Sequence, residues 1–230
     1  MIPFPTAEQV WPEGSVRWRI CLLPRVSRDP GLQTLLERAR KALAPFPVAE
    51  VADEDLNIGI CPLERPEVPA RRMLAEIAAA LAEHLAGLPP FAAPIGPAHA
   101  GTGSVLFELD PHPRWSELTE RLRVGLGAVL DLDVLGPIQE RAHLTIAYGA
   151  GHCESAEIEA TLETAVAGEH AEVLIDAVHL IQVRQNAPVH GYRLAPPTLS
   201  VPLGATRLLP EPHRTVPAPP STKGVTHDQV

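Results

Sequence analysis

Apolar residues recur three and four positions apart in four stretches of the chain, Gly31 to Leu43, Ala70 to Leu85, Trp115 to Leu130 and Ser155 to Val166. That period predicts amphipathic helices. Between them lie runs of β-branched and aliphatic residues that predict strands: Val16 to Leu23, Leu56 to Cys61, Phe91 to Ile95, Ser104 to Leu109, Ala142 to Tyr148, Ala171 to Arg184 and a closing stretch from Gly191 to Leu203. In chain order these form two similar halves, each reading strand, helix, strand, helix, strand. From the first strand of each half, at Val16 and at Val105, to its second central strand is about forty residues with one helix between. Superposing the halves lays Leu56-Asn57-Ile58-Gly59-Ile60 on Ala142-His143-Leu144-Thr145-Ile146.

The pattern divides the chain into an N-terminal arm over 1–14, a folded domain over 15–204 with halves of about 15–100 and 101–204, and a segment over 205–230. In that last segment prolines recur (Pro210, Pro212, Pro217, Pro219, Pro220) without apolar periodicity, which predicts a disordered tail. The longest apolar stretch, Leu74 to Leu88, is interrupted by Glu76, Glu83 and His84, so it reads as an amphipathic helix and not as a membrane span. Met1 to Gly14 has no basic region followed by an apolar block. A cytoplasmic protein without membrane contact is therefore expected. Cys21, Cys61 and Cys153 are odd in number and lack a CxxC pair, so neither a disulfide framework nor a zinc site is expected and the thiols read as buried or idle. The formal charge of −9 argues against a protein that coats long nucleic acid, because neutralising phosphates takes clustered Lys and Arg. A short nucleic-acid end remains compatible with it.

Chemistry concentrates in one strand. In Ala142 to Tyr148, period-two geometry puts His143 and Thr145 on one face and Leu144, Ile146 and Tyr148 on the other, which reads as core. The polar face must meet solvent, a partner or a cleft, so His143 is either a solvated strand histidine or a group that moves a proton. Arg17 and Arg19 share one face of the first strand, with Trp18 and Ile20 on the other. They either bring positive charge to a cleft or keep an edge strand soluble. Gly101-Thr102-Gly103-Ser104 lacks the lysine and following helix of a phosphate loop and reads as a turn between the halves. His112 lies in Asp110-Pro111-His112-Pro113, a turn leading into a helix. No HxxxH or HExxH spacing is present, so no metal and no cofactor is expected.

The strand His143-Leu144-Thr145-Ile146, followed by Ala147-Tyr148-Gly149, resembles the HxTΦ motif of the two-histidine (2H) phosphoesterases, particularly the bacterial 2′-5′ RNA ligase-like proteins. Further matches are Trp11-Pro12-Glu13-Gly14, Leu22-Leu23-Pro24 and Val201-Pro202-Leu203-Gly204, so the resemblance spans about Trp11 to Gly204. It implies an α+β, bilobal fold: two pseudo-symmetric lobes of mostly antiparallel sheet, helices outside, and a central cleft to which each lobe presents one HxT or HxS motif. It also implies 2′,3′-cyclic phosphodiesterase or RNA ligase chemistry, in which two imidazoles serve as base and acid while each hydroxyl holds phosphate oxygens.

In this chain His143 and Thr145 fill the second motif. The first is degenerate: Asn57 stands where a histidine is expected and Gly59 where the hydroxyl is expected. Asn cannot exchange a proton near neutral pH and Gly offers no donor. The expectation is weakened or altered phosphoesterase activity toward a short RNA end or a small cyclic or phosphorylated nucleotide. The alternative is an inactive relative that binds such a ligand. His152, in the loop Gly149-Ala150-Gly151-His152, and His190, before the strand at Gly191, either replace the lost group or are ordinary loop histidines. A monomer is expected, with no long duplex as partner.

Overall fold

Two of the four long helices begin at a start signal in the sequence. Asp29 caps helix α1 (Pro30–Leu43), its carboxylate accepting from the Leu32 amide at 2.9 Å, with Pro30 pre-set for the first turn. Leu32, Leu35, Leu36, Ala39 and Leu43 form its buried face. The other long helices are α2 (Arg71–Leu85), α3 (Pro113–Gly127) and α4 (Ser155–Val166). His112 caps α3 through Nδ1, which accepts from the Arg114 amide at 3.2 Å, and its ring stacks on Phe91 with centroids 5.1 Å apart. The computed structural model describes residues 1–4, 11–12, 15–64, 69–131, 134–139, 141–186 and 190–204. The predicted tail over 205–230 and most of the arm over 1–14 lie outside the described residues.

The strands are β1 (Val16–Leu22), β2 (Val48–Glu50), β3 (Ile58–Leu63), β4 (Phe91–Ala100), β5 (Ser104–Leu109), β6 (His143–Gly149), β7 (Ala171–Ile175), β8 (Ala177–Asn186), β9 (Gly191–Leu194) and β10 (Leu199–Pro202). They form one antiparallel sheet in the order β10-β8-β1-β3-β6-β5-β4-β7, with β9 beside β8 and β2 beside β6. The two lobes meet where β3 and β6 pair through Ile58 and Leu144. Helices α2 and α3 pack together, with α2 against β10, while α1 and α4 pack together against β7 and β4. The fold is thus α+β and bilobal, with largely antiparallel sheet. Among the described residues no helix is long and apolar enough to cross a membrane.

The lobes exchange strands relative to the halves of the sequence. β4, from the first half, lies between β5 and β7, while β8, β9 and β10, from the second half, complete the sheet beside β1. Gly101 to Ser104 is consequently the tight turn of the β4–β5 hairpin, closed by the Gly101 amide on the Ser104 carbonyl at 2.8 Å, and not a link between lobes. The apolar run from Ala171 to Arg184 is two strands. The chain changes lobe at Asp176, whose carboxylate pairs with Arg25 at 2.7 Å and whose carbonyl accepts from the Leu203 amide at 2.8 Å. The buried positions shift there from odd to even numbers, with only Asp176 and Ala177 between Ile175 and Val178, an interval too short to mark two strands in the sequence.

The two central strands carry the same irregularity at the same place. Opposite β1, Ile60 of β3 is the extra residue of a β-bulge, because Ile20 pairs with Cys61 and Cys21 with Gly59. Opposite β5, Ile146 of β6 is extra, because Val105 pairs with Ala147 and Leu106 with Thr145. Ile60 and Ile146 are equivalent in the repeat, and both are fully buried. A bulge shifts the inward and outward alternation by one residue. Cys61 and Ala147 therefore turn into the core, while Pro62 and Tyr148 turn out of it.

Candidate active site

That bulge corrects one expectation. Tyr148 does not join Leu144 and Ile146 in the core. It lies half-buried on the same side as His143 and Thr145, and its ring meets Phe4 edge-on at 4.8 Å and Tyr192 at 5.7 Å. Trp18 is core, as its strand position predicts.

One small cavity, with room for about 30 Å³, is lined by Arg19 of β1, Asn57 and Gly59 at the start of β3, His143, Thr145 and Tyr148 of β6, Tyr192 of β9, and Val51, Asp55 and Gln139 from the connecting segments. The two motif strands thus present their equivalent positions to a shared cleft. The antiparallel register that pairs Ile58 with Leu144 carries the core, and the residues on either side of those two face the cavity.

Asn57 is fixed at both ends of its amide. Its Oδ1 accepts from Arg19 Nη1 at 3.3 Å, and its Nδ2 donates to the Asp55 carbonyl at 3.1 Å. The Asp55 carboxylate is buried at 5% exposure, and it is satisfied by the Arg193 guanidinium and by the Leu194 amide at 2.9 Å. A buried carboxylate requires such partners, and here they tie the segment before β3 to β9.

Gly59 is not demanded by the backbone. Its φ lies outside the left-handed range, and a Cβ there would meet Arg19 Cδ at 3.6 Å, Arg19 Nη1 at 3.8 Å and Gln139 Oε1 at 3.8 Å, all ordinary contacts. The space beside it is taken by the Arg19 side chain, whose guanidinium also lies 5.7 Å above the Tyr192 ring. Among the described residues no carboxylate pairs with Arg19. The cleft therefore has an arginine where its symmetry-related side has a threonine.

His143 is half-exposed, and its Nδ1 lies 3.3 Å from the Arg141 carbonyl. A carbonyl only accepts, so this contact assigns the proton to Nδ1 and leaves the Nε2 lone pair available. Two thiols lie on the cleft's supporting strands. Burial pushes Cys21 up to about 12, opposed by the nearby Arg19, and pushes Cys61 up to about 11, reinforced by Glu64. Both stay as thiols near neutral pH.

The other residues singled out in the sequence lie elsewhere. The Arg17 guanidinium sits over the Trp11 ring at 4.4 Å. His152 is exposed in the turn after β6, and His190, with a positive φ of 48°, precedes β9; neither lines the cavity. Asp55, Gln139 and Tyr192 line the cavity without any sequence motif to mark them. Among the described residues no three of His, Cys, Asp and Glu are gathered as metal ligands.

Two exchanged lobes, paired through equivalent bulged strands that open on one cleft, define the bilobal 2H phosphoesterase class of fold. The family model of the 2′-5′ RNA ligase superfamily matches residues 61–187, more than half of the 230-residue sequence, and the chain belongs to that superfamily. The match takes in His143 and Thr145 and begins two residues after Gly59. Among solved structures, TT0787 of Thermus thermophilus is similar with a TM-score of 0.60 and 15% identity over 82% of this chain and 98% of that one. Escherichia coli LigT complexed with 3′-AMP is similar with a TM-score of 0.54 and 16% identity over 83% of this chain and 99% of that one. LigT complexed with phosphate gives a TM-score of 0.52 and 15% identity over the same shares. These likenesses are of fold. No curated protein matches the chain.

Proposed function

We propose that the chain is a one-histidine phosphoesterase acting on the 2′,3′-cyclic phosphate of a short RNA end or nucleotide, with slow turnover. The observation that carries the reading is the meeting of His143, Thr145 and Arg19 at one cleft opposite an asparagine that cannot move a proton. His143 Nε2 takes the proton of the attacking water as its oxygen bonds to phosphorus. Thr145 and Arg19 donate to the phosphate oxygens, and the ester bond to one ribose oxygen breaks. That oxygen takes its proton from solvent, because Asn57 has none to give. Absence of a positioned acid lowers the rate by about 10² to 10⁴. The ligand class is supported by LigT, a protein of the same fold, having been solved with 3′-AMP and with phosphate.

With room for about 30 Å³ the cleft accommodates about one water, so a phosphate enters by displacing a lining side chain. Arg19 is the side chain fitted for this. Its hydrogen bond to Asn57 is long at 3.3 Å, and swinging toward an anion would exchange it for charge-assisted bonds. The test compares hydrolysis of 2′,3′-cyclic nucleotides by the native protein and by His143→Ala. Equal rates would remove the catalytic assignment.

A second reading, a ligand-binding protein without turnover, is favoured by the engagement of both ends of the Asn57 amide. Titration with a nucleoside monophosphate, followed through the amide signals of Asn57, Gly59, His143 and Thr145, separates the two. Saturable shifts without product formation at any enzyme concentration would favour binding alone.

A further inference from the structure

Residues Met1–Phe4 lie against the wall of the phosphate cleft. The Ile2 amide donates to the Thr102 carbonyl at 2.8 Å, and the Met1 carbonyl accepts from the Cys153 amide at 3.2 Å. The segment is thus seated on the β4–β5 turn and on the turn after β6. Phe4, 1% exposed, sets its ring edge-on against Tyr148 at 4.8 Å and against Tyr192 at 5.1 Å. Both tyrosines line the cavity that holds His143 and Thr145, whereas Phe4 does not, so it props them from outside.

The seat is shaped for this segment. The three nearest atoms that a Cβ at Gly149 would meet all belong to Met1 and Ile2, and it would run into the Ile2 carbonyl. The φ of Gly149 lies outside the left-handed range, so glycine is required there by the close approach of the segment and not by the backbone conformation.

With room for about one water, the cleft must widen to admit a nucleotide. Its floor is strand, and Gln139 is tied to that floor by its amide, which donates to the Ile60 carbonyl at 2.9 Å. The tyrosine wall is made of side chains, and Phe4 props it. Trp11 also meets Tyr192, at 5.4 Å, and the Arg19 guanidinium rests 5.7 Å above the same ring. Outward movement of the tyrosines, and with it freedom for Arg19 to swing, requires Phe4 to withdraw. Met1 and Phe4 are both buried, so withdrawal exposes apolar surface and keeps the open form a minority until a ligand offsets the cost.

Resting on the phosphate-cleft reading above, we infer that Met1–Phe4 is a releasable strap: seated, it holds the tyrosine wall closed against nucleotides, and a nucleotide enters only when it lifts.

The experiment measures the affinity for 3′-AMP by calorimetry in the native protein, Gly149→Ala and Phe4→Ala. Gly149→Ala evicts the strap by filling its seat and leaves every cleft residue in place. With an open minority of about 0.1 to 10%, both variants should bind 3′-AMP about 10- to 10³-fold more tightly than the native protein. In the native protein, saturating 3′-AMP should speed hydrogen exchange of the Cys153 amide at least about tenfold, because that amide loses the Met1 carbonyl. The Gly149 amide, bonded to the Gly103 carbonyl at 2.9 Å, should keep its rate. The native measurement decides the matter if a variant fails to fold. Two results would each overturn the strap and leave the phosphate-cleft reading standing. One is a folded Gly149→Ala protein whose Cys153 amide exchanges freely while 3′-AMP binds no more tightly than to the native protein. The other is an unchanged native Cys153 exchange rate while the amide signals of His143 and Thr145 report 3′-AMP bound. Failure of 3′-AMP to bind any of the three proteins overturns both.

Discussion

Supplying the two side chains that the first motif lacks, as Asn57→His with Gly59→Thr, is expected to raise kcat for opening a 2′,3′-cyclic nucleotide by about 10² to 10⁴. At about 1.36 kcal/mol per decade this is about 2.7 to 5.4 kcal/mol of barrier. The structure permits the change. A Cβ at Gly59 meets nothing closer than 3.6 Å, and that neighbour is part of the flexible Arg19 side chain. The Asn57 to Arg19 bond is lost, but at 3.3 Å it lies at the weak end of charged hydrogen bonds. A histidine at 57 retains a ring N–H for the Asp55 carbonyl, which now accepts from Asn57. The neighbouring guanidinium disfavours imidazolium at that position, so the new group would act more readily as the base. His143 would then serve as the acid. The assay is kcat against pH for parent, double variant, and double variant with His143→Ala. The parent should give one limb, the double variant a bell, and the triple variant should lose the gain. A folded double variant that binds a nucleoside monophosphate as the parent does, yet turns over within threefold of it, would refute the idea that the missing groups limit the rate.

Four other outcomes follow from named contacts. His143→Gln should lower kcat by about 10² to 10⁴ with little change in the affinity for inorganic phosphate, checked by steady-state kinetics and calorimetry. Of the three free thiols, the half-buried Cys153 should react with a thiol reagent in the native protein. Cys21 and Cys61, pushed up to about 12 and about 11 by burial, should react only on unfolding, and early modification of all three would contradict the packing of β1 and β3. His179, whose Nδ1 lies 2.9 Å from Ser200 Oγ, has its pKa lowered by burial and by Arg25 against the pull of Asp176. Its depressed value means that its contribution is intact above its ordinary value of 6.5 and is lost as pH falls below it, so Tm should drop on acidification less steeply in His179→Gln. Asp55→Ala should destabilise the fold by about 1 to 3 kcal/mol, because the Leu194 amide loses its acceptor, while the 44% exposed Arg193 side chain can turn to water; urea titration measures it.

Periodicity located every long helix to within a few residues, because each has a continuous apolar stripe and Asp29 or a proline marks two of the starts. It could not detect β2, whose three residues contain less than two full alternations, nor the break at Asp176, where a single polar residue separates two strands of opposite lobes. Asn57, Gly59, His143 and Thr145 were legible as one set because strand geometry and the internal repeat constrain them jointly. Tyr148 was not, because a bulge leaves no local signal when its extra residue is an isoleucine like those around it. Arg17 and Arg19 are indistinguishable by parity. Only their places along β1 separate them: Arg19 pairs opposite β3 and reaches the cleft, while Arg17 lies past the end of that pairing, beside Trp11. Asp55, Gln139 and Tyr192 come from segments whose meeting depends on the exchange of β9 into the first lobe, which no local pattern encodes.

The separation of core from cleft explains how one motif can be lost while the fold stays whole. On β3 the packing falls to Ile58, Ile60 and Leu63, and on β6 to Leu144, Ile146 and Ala147. All of these are buried, and both strands repeat the same sequence of buried and half-buried positions across the bulge. Asn57 and Gly59 lie on the other side and contribute only the contacts of a half-buried surface. Exchanging a histidine and a hydroxyl residue for them would remove chemistry without opening a void. Arg19 reaches across from β1 to Asn57 and fills the space beside Gly59, so the first lobe presents a cation and an amide at the cleft. On the function proposed above, such a site would keep a means to hold a phosphate after a means to cleave it is gone.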